Sequence, residues 1–94
     1  MSRLTFEWDP AKAASNVRKH DVSFEEAATV FMDPLAVAAT DPVHDGRLLL
    51  LGMSSGSRVL VVVHAELDDE TIRIISARKA TRHERRTYEE GPAT

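Results

Sequence analysis

The chain has 94 residues and no cysteine, so we expect one small domain without a disulfide scaffold, a thiolate metal site or a cysteine nucleophile. Hydrophobic residues make up 43% and charged residues 29%, the balance of a soluble globular protein. The longest apolar run, Val59 to Val63, is too short for a membrane span, and the chain does not open on a signal-peptide pattern. We therefore expect a single cytoplasmic domain over residues 1–94, with no membrane partner.

The charge is unevenly distributed along the chain. The net charge of −3 argues against a protein that coats DNA nonspecifically. Residues 21–45 carry six acidic side chains and no Lys or Arg, whereas basic residues concentrate between 73 and 86. This distribution predicts a local cationic patch that can bind a polyanion if the fold brings the two ends of the chain together. A solvated charged face with ordinary ion pairs is the alternative.

Two helices are predicted in the first third of the chain. Residues 6–8 form a short extended start, and Asp9-Pro10 then predicts a helix, because Asp caps a helix N-terminus and Pro fits its first position. This helix runs to about residue 20. Ser23-Phe24-Glu25-Glu26 is a capping-box pattern in which Ser23 and Glu26 each satisfy a backbone N–H. It opens a second helix, which Asp33-Pro34 ends.

The rest of the chain has the periodicity of strands, followed by a third helix. The run Val59–Val63 is apolar at every position, so we expect a central strand covered on both faces. Thr81-Arg82-His83-Glu84 is a second capping-box pattern, and the helix it opens ends before Gly91-Pro92. That helix has few apolar positions, which predicts weak anchoring. Four strands are predicted, at residues 35–40, 48–53, 59–65 and 72–76.

These elements define an α+β fold in the order α-α-β-β-β-β-α. The short connections between strands predict an antiparallel four-stranded sheet. Two N-terminal helices pack on one face of it, and the C-terminal helix follows the last strand.

Two long motifs resemble those of a known family. Phe6 to Lys12, Asn16, Lys19-His20 and Val22 to Ala27 are similar to the opening of the BrnT family of toxins. Ile72 to Thr81, then Glu84-Arg85 and Tyr88, resemble its closing motif. The resemblance covers roughly residues 6–90. It implies a RelE-like fold and a ribonuclease toxin of a type II toxin–antitoxin system that inhibits translation. It also implies a BrnA-like antitoxin, whose DNA-binding part represses the shared operon and links the toxin only indirectly to operator DNA.

The chain departs from the family pattern at three places. Asp21 stands where the family usually has Gly, at the predicted left-handed end of the first helix. The turn after His44 is shorter, and His64-Ala65-Glu66-Leu67 stands where members often carry an Arg. The missing Arg motivates a second hypothesis, in which the catalytic groups have decayed. The protein would then be a binding module that acts mainly as a co-repressor with its antitoxin.

RNA cleavage without a metal needs a base for the 2′-OH, cations for the phosphorane and an acid for the leaving oxygen. We predict Arg78 as the main phosphate clamp, since guanidinium matches phosphate geometry, with a salt bridge to Glu84 as the structural alternative. His20 and His44 are candidate proton donors, because histidine titrates near neutral pH; for His20 a helix-cap role is the alternative. Glu84 is a candidate base, which its capping role explains equally well.

The remaining candidates would hold the RNA. They are predicted to line, with Arg78, one open trough in which the arginines are free of other partners. For Tyr88, packing in the core is the alternative to stacking on a base. No His or acidic residues stand at metal-ligand spacing, and no cofactor is implied. An acidic or amphipathic antitoxin segment is expected over the basic patch. The predicted RNA-binding residues are Lys19, Arg73, Lys79, Arg82 and Tyr88.

Overall fold

A computed structural model describes residues 3–91 and arranges them as one mixed sheet with helices on both of its faces. A short 3-10 turn, Val30–Met32, follows the second helix. None of the helices between residues 3 and 91 is long and apolar enough to cross a membrane. In chain order the elements are β1 (Thr5–Glu7), α1 (Pro10–His20), α2 (Phe24–Thr29), β2 (Val37–Thr40), β3 (Leu48–Met53), β4 (Val59–Glu66), β5 (Thr71–Lys79) and α3 (Arg82–Glu90).

The expected four-stranded antiparallel sheet is wrong in strand number and in element order. The sheet has five strands in the order β1-β5-β4-β3-β2, and β1 lies parallel to β5. The extended start at residues 6–8 therefore forms part of an edge strand, with Thr5 opposite Thr71 and Glu7 opposite Arg73. Three residues are too few to show an alternating pattern, and a strand paired with a segment over sixty residues away leaves no local signal. The four predicted strands are present and antiparallel to one another.

The helix ends follow the predicted capping chemistry, with one difference. The Asp9 side chain accepts a hydrogen bond from the N–H of Ala11, and Asp21 ends α1 in the left-handed conformation with φ 58°. Ser23 accepts from the N–H of Glu26, as predicted. Glu26 does not complete that capping box, because its carboxylate binds Arg58 of the β3–β4 turn at 2.6 and 3.0 Å. The arginine offers a stronger, charge-assisted partner than a backbone N–H does.

The core lies mainly between the sheet and the two N-terminal helices. Phe24 and Val22 of the helical layer pack with Leu60, Val62 and Ile74 of the sheet, all of them almost completely buried. On the opposite face, a smaller cluster of Val59, Val61 and Ala80 is covered by Tyr88 of α3. Strand β4 is therefore buried on both faces over most of its length, as the uninterrupted apolar run predicted.

Asn16 takes the place of a missing strand at the edge of β5. Strand β1 ends opposite Arg73, so the backbone of β5 beyond that point has no neighbouring strand on this side. The buried Asn16 amide fills the gap, because its Nδ2 donates to the Ala77 carbonyl at 2.8 Å and its Oδ1 accepts from the Ala77 N–H at 3.1 Å. Nδ2 also donates to the Val22 carbonyl at 2.8 Å. One side chain thereby joins α1, the α1–α2 turn and the sheet.

Candidate active site

Arg78 and Glu84 form the most strongly coupled ion pair among the predicted site residues. Arg78 is near the end of β5 and its side chain lies on the face opposite α1 and α2, since its partner Val61 belongs to the core under α3. Its Nη1 and Nη2 donate to the two Glu84 oxygens at 2.7 and 2.9 Å. The salt bridge that the sequence offered as the structural alternative is therefore present.

The capping box of α3 fixes the carboxylate of this pair. Thr81 accepts from the Glu84 N–H at 3.1 Å, and a Glu84 oxygen accepts from the Thr81 N–H at 2.8 Å. Hydrogen bonds from Arg78 lower the pKa of Glu84 to about 2. The same bonds raise the pKa of Arg78. Both groups are charged near neutral pH, and a carboxylate of such low pKa is a poor general base.

The pairing leaves one edge of the Arg78 guanidinium free. Of its five N–H groups, Glu84 accepts two, and the second N–H of Nη1 faces the Lys79 carbonyl at 3.4 Å. The N–H of Nε and the second N–H of Nη2 point side by side, and no acceptor within residues 3–91 binds them. The Arg78 side chain as a whole is 41% exposed, so the guanidinium is not sealed in the interior.

Arg73 shares the face of Arg78 but does not join it. Their partners on β4 are Ala65 and Val61, which are four residues apart, or about 13 Å along the strand. Arg73 donates to Glu7 of β1 at 2.7 Å. The expectation of one trough lined by unpaired arginines is therefore wrong, because β1 and α3 each bring a carboxylate to one of them.

Lys79 points to the other face, since side chains alternate along a strand. Its Nζ lies 3.8 Å from the Asp21 carboxylate at the end of α1, and Asp21 is 82% exposed, so this is a weak contact. Lys19 and His20 are exposed in the last turn of α1. Because they directly precede Asp21, which contacts Lys79, they lie near this end of β5. The end of β5 thus has Arg78 on one face of the sheet. Lys79 lies on the other face, with Lys19 of α1 near it.

His44 is far from both of these groups. His44 lies in the β2–β3 turn, beyond the paired residues Thr40 and Leu48. Arg78 is two strands away from β3, in register with Leu51 near the other end of that strand. The Nδ1 of His44 is 3.3 Å from Oδ2 of Asp41, a partner that the sequence reading missed although the two residues are three positions apart. Hydrogen bonds from the Val43 and His44 backbone and from the His44 ring lower the pKa of Asp41.

Tyr88 and Arg82 occupy opposite ends of α3. The Tyr88 ring packs on the cluster of Val59, Val61 and Ala80, and its hydroxyl donates to Asp33 at 2.6 Å. The packing alternative for Tyr88 is thus present, and the ring is only partly exposed. Arg82 is the exposed first residue of α3, and the backbone N–H groups of a helix N-terminus attract anions, although that of Glu84 is already bound by Thr81.

These contacts also correct the expectation of a weakly anchored C-terminal helix. Its apolar residues are sparse, but Glu84 ties its first turn to β5 and Tyr88 ties its last turn to Asp33. The helix ends at Glu90, before Gly91; Pro92, which the sequence suggested as part of the stop, lies outside the described residues. Within residues 3–91, no three His, Asp or Glu side chains come together in a way that could hold a metal ion.

The fold and this centre define a small α+β protein with an arginine–carboxylate pair on the sheet face opposite its N-terminal helices. The same fold is found in the 1.1 Å crystal structure of the Brucella abortus ribonuclease toxin BrnT, with a TM-score of 0.65 and 23% identity over 87% of this chain and 100% of that one. A search of curated proteins finds no match. Residues 8–84 match the family described as the ribonuclease toxin BrnT of type II toxin–antitoxin systems, and the chain belongs to this family.

Proposed function

We propose that this chain is itself an active endoribonuclease that cleaves RNA without a metal and so inhibits translation. The observation that carries the proposal is the free edge of Arg78. Glu84 holds the guanidinium by two hydrogen bonds, and the Nε and Nη2 N–H groups remain available as a fork for two phosphate oxygens. Membership of a ribonuclease toxin family supports the same reaction class.

Cleavage at this site would proceed by attack of the RNA 2′-oxygen on the adjacent phosphorus. The 2′-O–P bond forms, the bond to the 5′-oxygen breaks, and the phosphorane carries additional negative charge in between. Arg78 would stabilise that charge, with support from Arg82 and the first N–H groups of α3. Because Glu84 has a pKa of about 2, we assign it to positioning Arg78 rather than to taking the 2′-OH proton.

A histidine remains the proposed proton carrier. Of the two candidates, His20 lies nearer to Arg78, because the contact between Asp21 and Lys79 brings the end of α1 to the end of β5. His44, paired with Asp41, lies beyond the far end of β3. We therefore propose that His20 protonates the leaving 5′-oxygen and that solvent water takes the 2′-OH proton. Lys19 and Lys79 would hold the flanking strand, and Arg73 and Tyr88 would contact RNA farther along the face that carries Arg78.

The proposal is tested with the isolated chain and two matched variants. Arg78→Ala removes the fork, and Arg86→Ala removes an exposed cation of α3 that makes no ion pair within the described residues. In buffer with EDTA, the wild type and Arg86→Ala should fragment RNA and, when expressed alone, arrest growth. Arg78→Ala should do neither. Equal cleavage by Arg78→Ala, or cleavage by the wild type only after a metal is added, would contradict the proposal.

The proposed partner is a BrnA-like antitoxin, since the family belongs to type II toxin–antitoxin systems. We expect it to bind this chain tightly, to suppress RNA cleavage at equimolar ratio and to carry the complex to operator DNA through its own DNA-binding part. The toxin alone should not retard operator DNA in a gel, whereas the complex should. Retardation by the toxin alone would contradict this assignment.

A specific observation keeps the co-repressor alternative in place. Arg73 and Arg78 are both paired with carboxylates of the same chain, and the end of β4 carries Glu66 where family members often have a cation. If these pairs neutralise the site rather than position it, the protein binds antitoxin and leaves RNA intact. That combined result would favour the binding module over the nuclease.

A further inference from the structure

An apolar groove lies on the helix-bearing face of the sheet, at the end that α1 and α2 leave uncovered. It has a volume of about 530 Å³. Leu48 and Leu50 of β3 and Ala38 of β2 form part of its floor, and Phe31, which follows α2, forms a wall. These sheet residues share one face, since Ala38 is paired with Leu50 and Leu48 with His64. The groove is therefore a continuation of the core surface that the protein's own helices do not cover.

The charged groups of the groove are all carboxylates, and its other polar side chains are Thr40 and His64. Glu66, Asp68 and Asp69 line it at the β4–β5 end, and no lysine or arginine is among its lining residues. Its buried histidine adds a further acceptor. His64 Nδ1 is 3.2 Å from the Val62 carbonyl, which can only accept, so Nδ1 carries the proton and Nε2 is the unprotonated nitrogen. Burial lowers the pKa of His64, which favours this neutral form.

The remaining nitrogen of His64 opens to the groove. No buried side-chain N or O atom in the described part of the chain lacks a hydrogen-bond partner. Nε2 has no partner within the protein, so it must keep contact with the space in front of the ring. Phe31 packs against the His64 ring in an edge-on arrangement, with the two ring centroids 4.8 Å apart, and so orients it. An occupant thus meets apolar walls, the Thr40 hydroxyl, one neutral nitrogen acceptor and three carboxylates.

We infer that this groove is the docking site for an amphipathic segment of a protein partner, in which an apolar side chain is flanked by lysine or arginine. The inference rests on the proposed function only in naming the antitoxin as that partner. The apolar part would cover Leu48 and Leu50, and the cations would pair with Glu66 and Asp69. The sequence predicts an acidic or amphipathic segment over the basic patch, whereas the uncovered apolar surface is bordered by carboxylates.

Charge selects this occupant over RNA, because a polyanion would meet three carboxylates and no cation among the lining residues. The docking site is also separate from the arginine centre. Ala38 and Leu50 point to the helix-bearing face, whereas Arg78 points to the other. Lys79 shares the helix-bearing face with the groove, but neither it nor any other proposed RNA contact is among the lining residues. A substitution in the groove therefore changes partner binding without touching those contacts.

The decisive experiment compares two neighbouring substitutions on β2. Ala38→Arg fills the groove with a side chain that pairs with its carboxylates. Ala39 also borders the groove, but Ala39→Arg directs the same side chain to the opposite face, because strand residues alternate. Affinity for the purified antitoxin is measured by calorimetry, with thermal melting to verify the fold. We expect Ala38→Arg to weaken binding at least about tenfold and Ala39→Arg to stay within about threefold of the wild type.

A second pair of variants isolates the charge contribution and does not depend on the edge strand. Asp69→Lys reverses a groove carboxylate, and Glu70→Lys makes the same change on the next residue, which does not line the groove. We expect Asp69→Lys to weaken antitoxin binding several-fold more than Glu70→Lys. The difference should shrink when salt is raised from about 0.1 M to about 0.5 M, because screening shortens the range of ion pairs.

The outcomes separate this inference from the proposed function. RNA cleavage is measured on the same variants in the absence of antitoxin, and Ala38→Arg should cleave at the wild-type rate. If neither the wild type nor any variant cleaves RNA, but Ala38→Arg and Asp69→Lys weaken antitoxin binding relative to their controls, the nuclease proposal fails and the docking site stands. If antitoxin binding is absent in the wild type or unaffected by Ala38→Arg and Asp69→Lys, the docking site is wrong. A dimer of the isolated chain that Ala38→Arg dissociates would assign the groove to a second copy and overturn the inference.

Discussion

Replacement of Asn16 by Ala tests whether one side chain joins the helical layer to the sheet. The substitution removes three hydrogen bonds, from Nδ2 to the Val22 and Ala77 carbonyls and from the Ala77 N–H to Oδ1. Asn16 is only 5% exposed, so water cannot easily take its place. With a net loss of about 1 kcal/mol for each bond and a larger penalty for the stranded N–H, we expect a destabilisation of about 3–4 kcal/mol.

This is a large part of the total, since a chain of this length has a free energy of unfolding of about 5–14 kcal/mol. Urea unfolding followed by circular dichroism measures it, with Ser15→Ala on the neighbouring helix position as the control. The transition midpoint of Asn16→Ala should fall with little change in slope, and that of the control should stay near the wild type. A loss of less than about 1 kcal/mol would refute the reasoning, because it would mean that the edge of β5 is satisfied without Asn16.

Three further predictions follow from individual contacts. The stability that Glu84 contributes is complete above its ordinary pKa of 4.5 and is lost as pH falls towards about 2. The free energy of unfolding of Glu84→Gln should therefore fall less than that of the wild type over this pH range. Tyr88→Phe removes the 2.6 Å hydrogen bond to Asp33, whose carboxylate still accepts from the backbone N–H groups of Leu35 and Met53. The free energy of unfolding, measured by thermal unfolding, should therefore fall by only about 1 kcal/mol. Asp21→Gly relieves a left-handed conformation at φ 58° and should stabilise the protein by about 0.5–1 kcal/mol; a lower melting temperature would contradict this.

The sequence predicts the local elements well and the sheet edges poorly. Asp9, Ser23 and Thr81 act through contacts within a few residues, so their patterns identify the three helix starts. Strand β1 is stabilised by residues 71–73, at the other end of the chain, and no neighbouring residue reports that pairing. For the same reason, the role of Asn16 as a substitute strand is invisible until Ala77 is known to lie beside it.

The candidate site shows the same division between local and distant information. The pair of Arg78 and Glu84 lies within one turn of the capping box, so the sequence offers it as an alternative to phosphate binding. The pairing of Arg73 with Glu7 in particular requires the fifth strand, which no local pattern predicts. The opposite directions of Arg78 and Lys79 follow from strand alternation, which a reading of charge along the chain overlooks.

The central claim is that Glu84 positions Arg78 so that its Nε and Nη2 N–H groups bind a phosphate as a planar fork. Single-turnover cleavage of a short RNA by purified Arg78→Lys tests it most directly, because lysine keeps the positive charge and loses the fork. Thermal melting verifies that the variant is folded. We predict a loss of at least about 100-fold in the cleavage rate. A rate within about threefold of the wild type would show that charge alone suffices and would contradict the account.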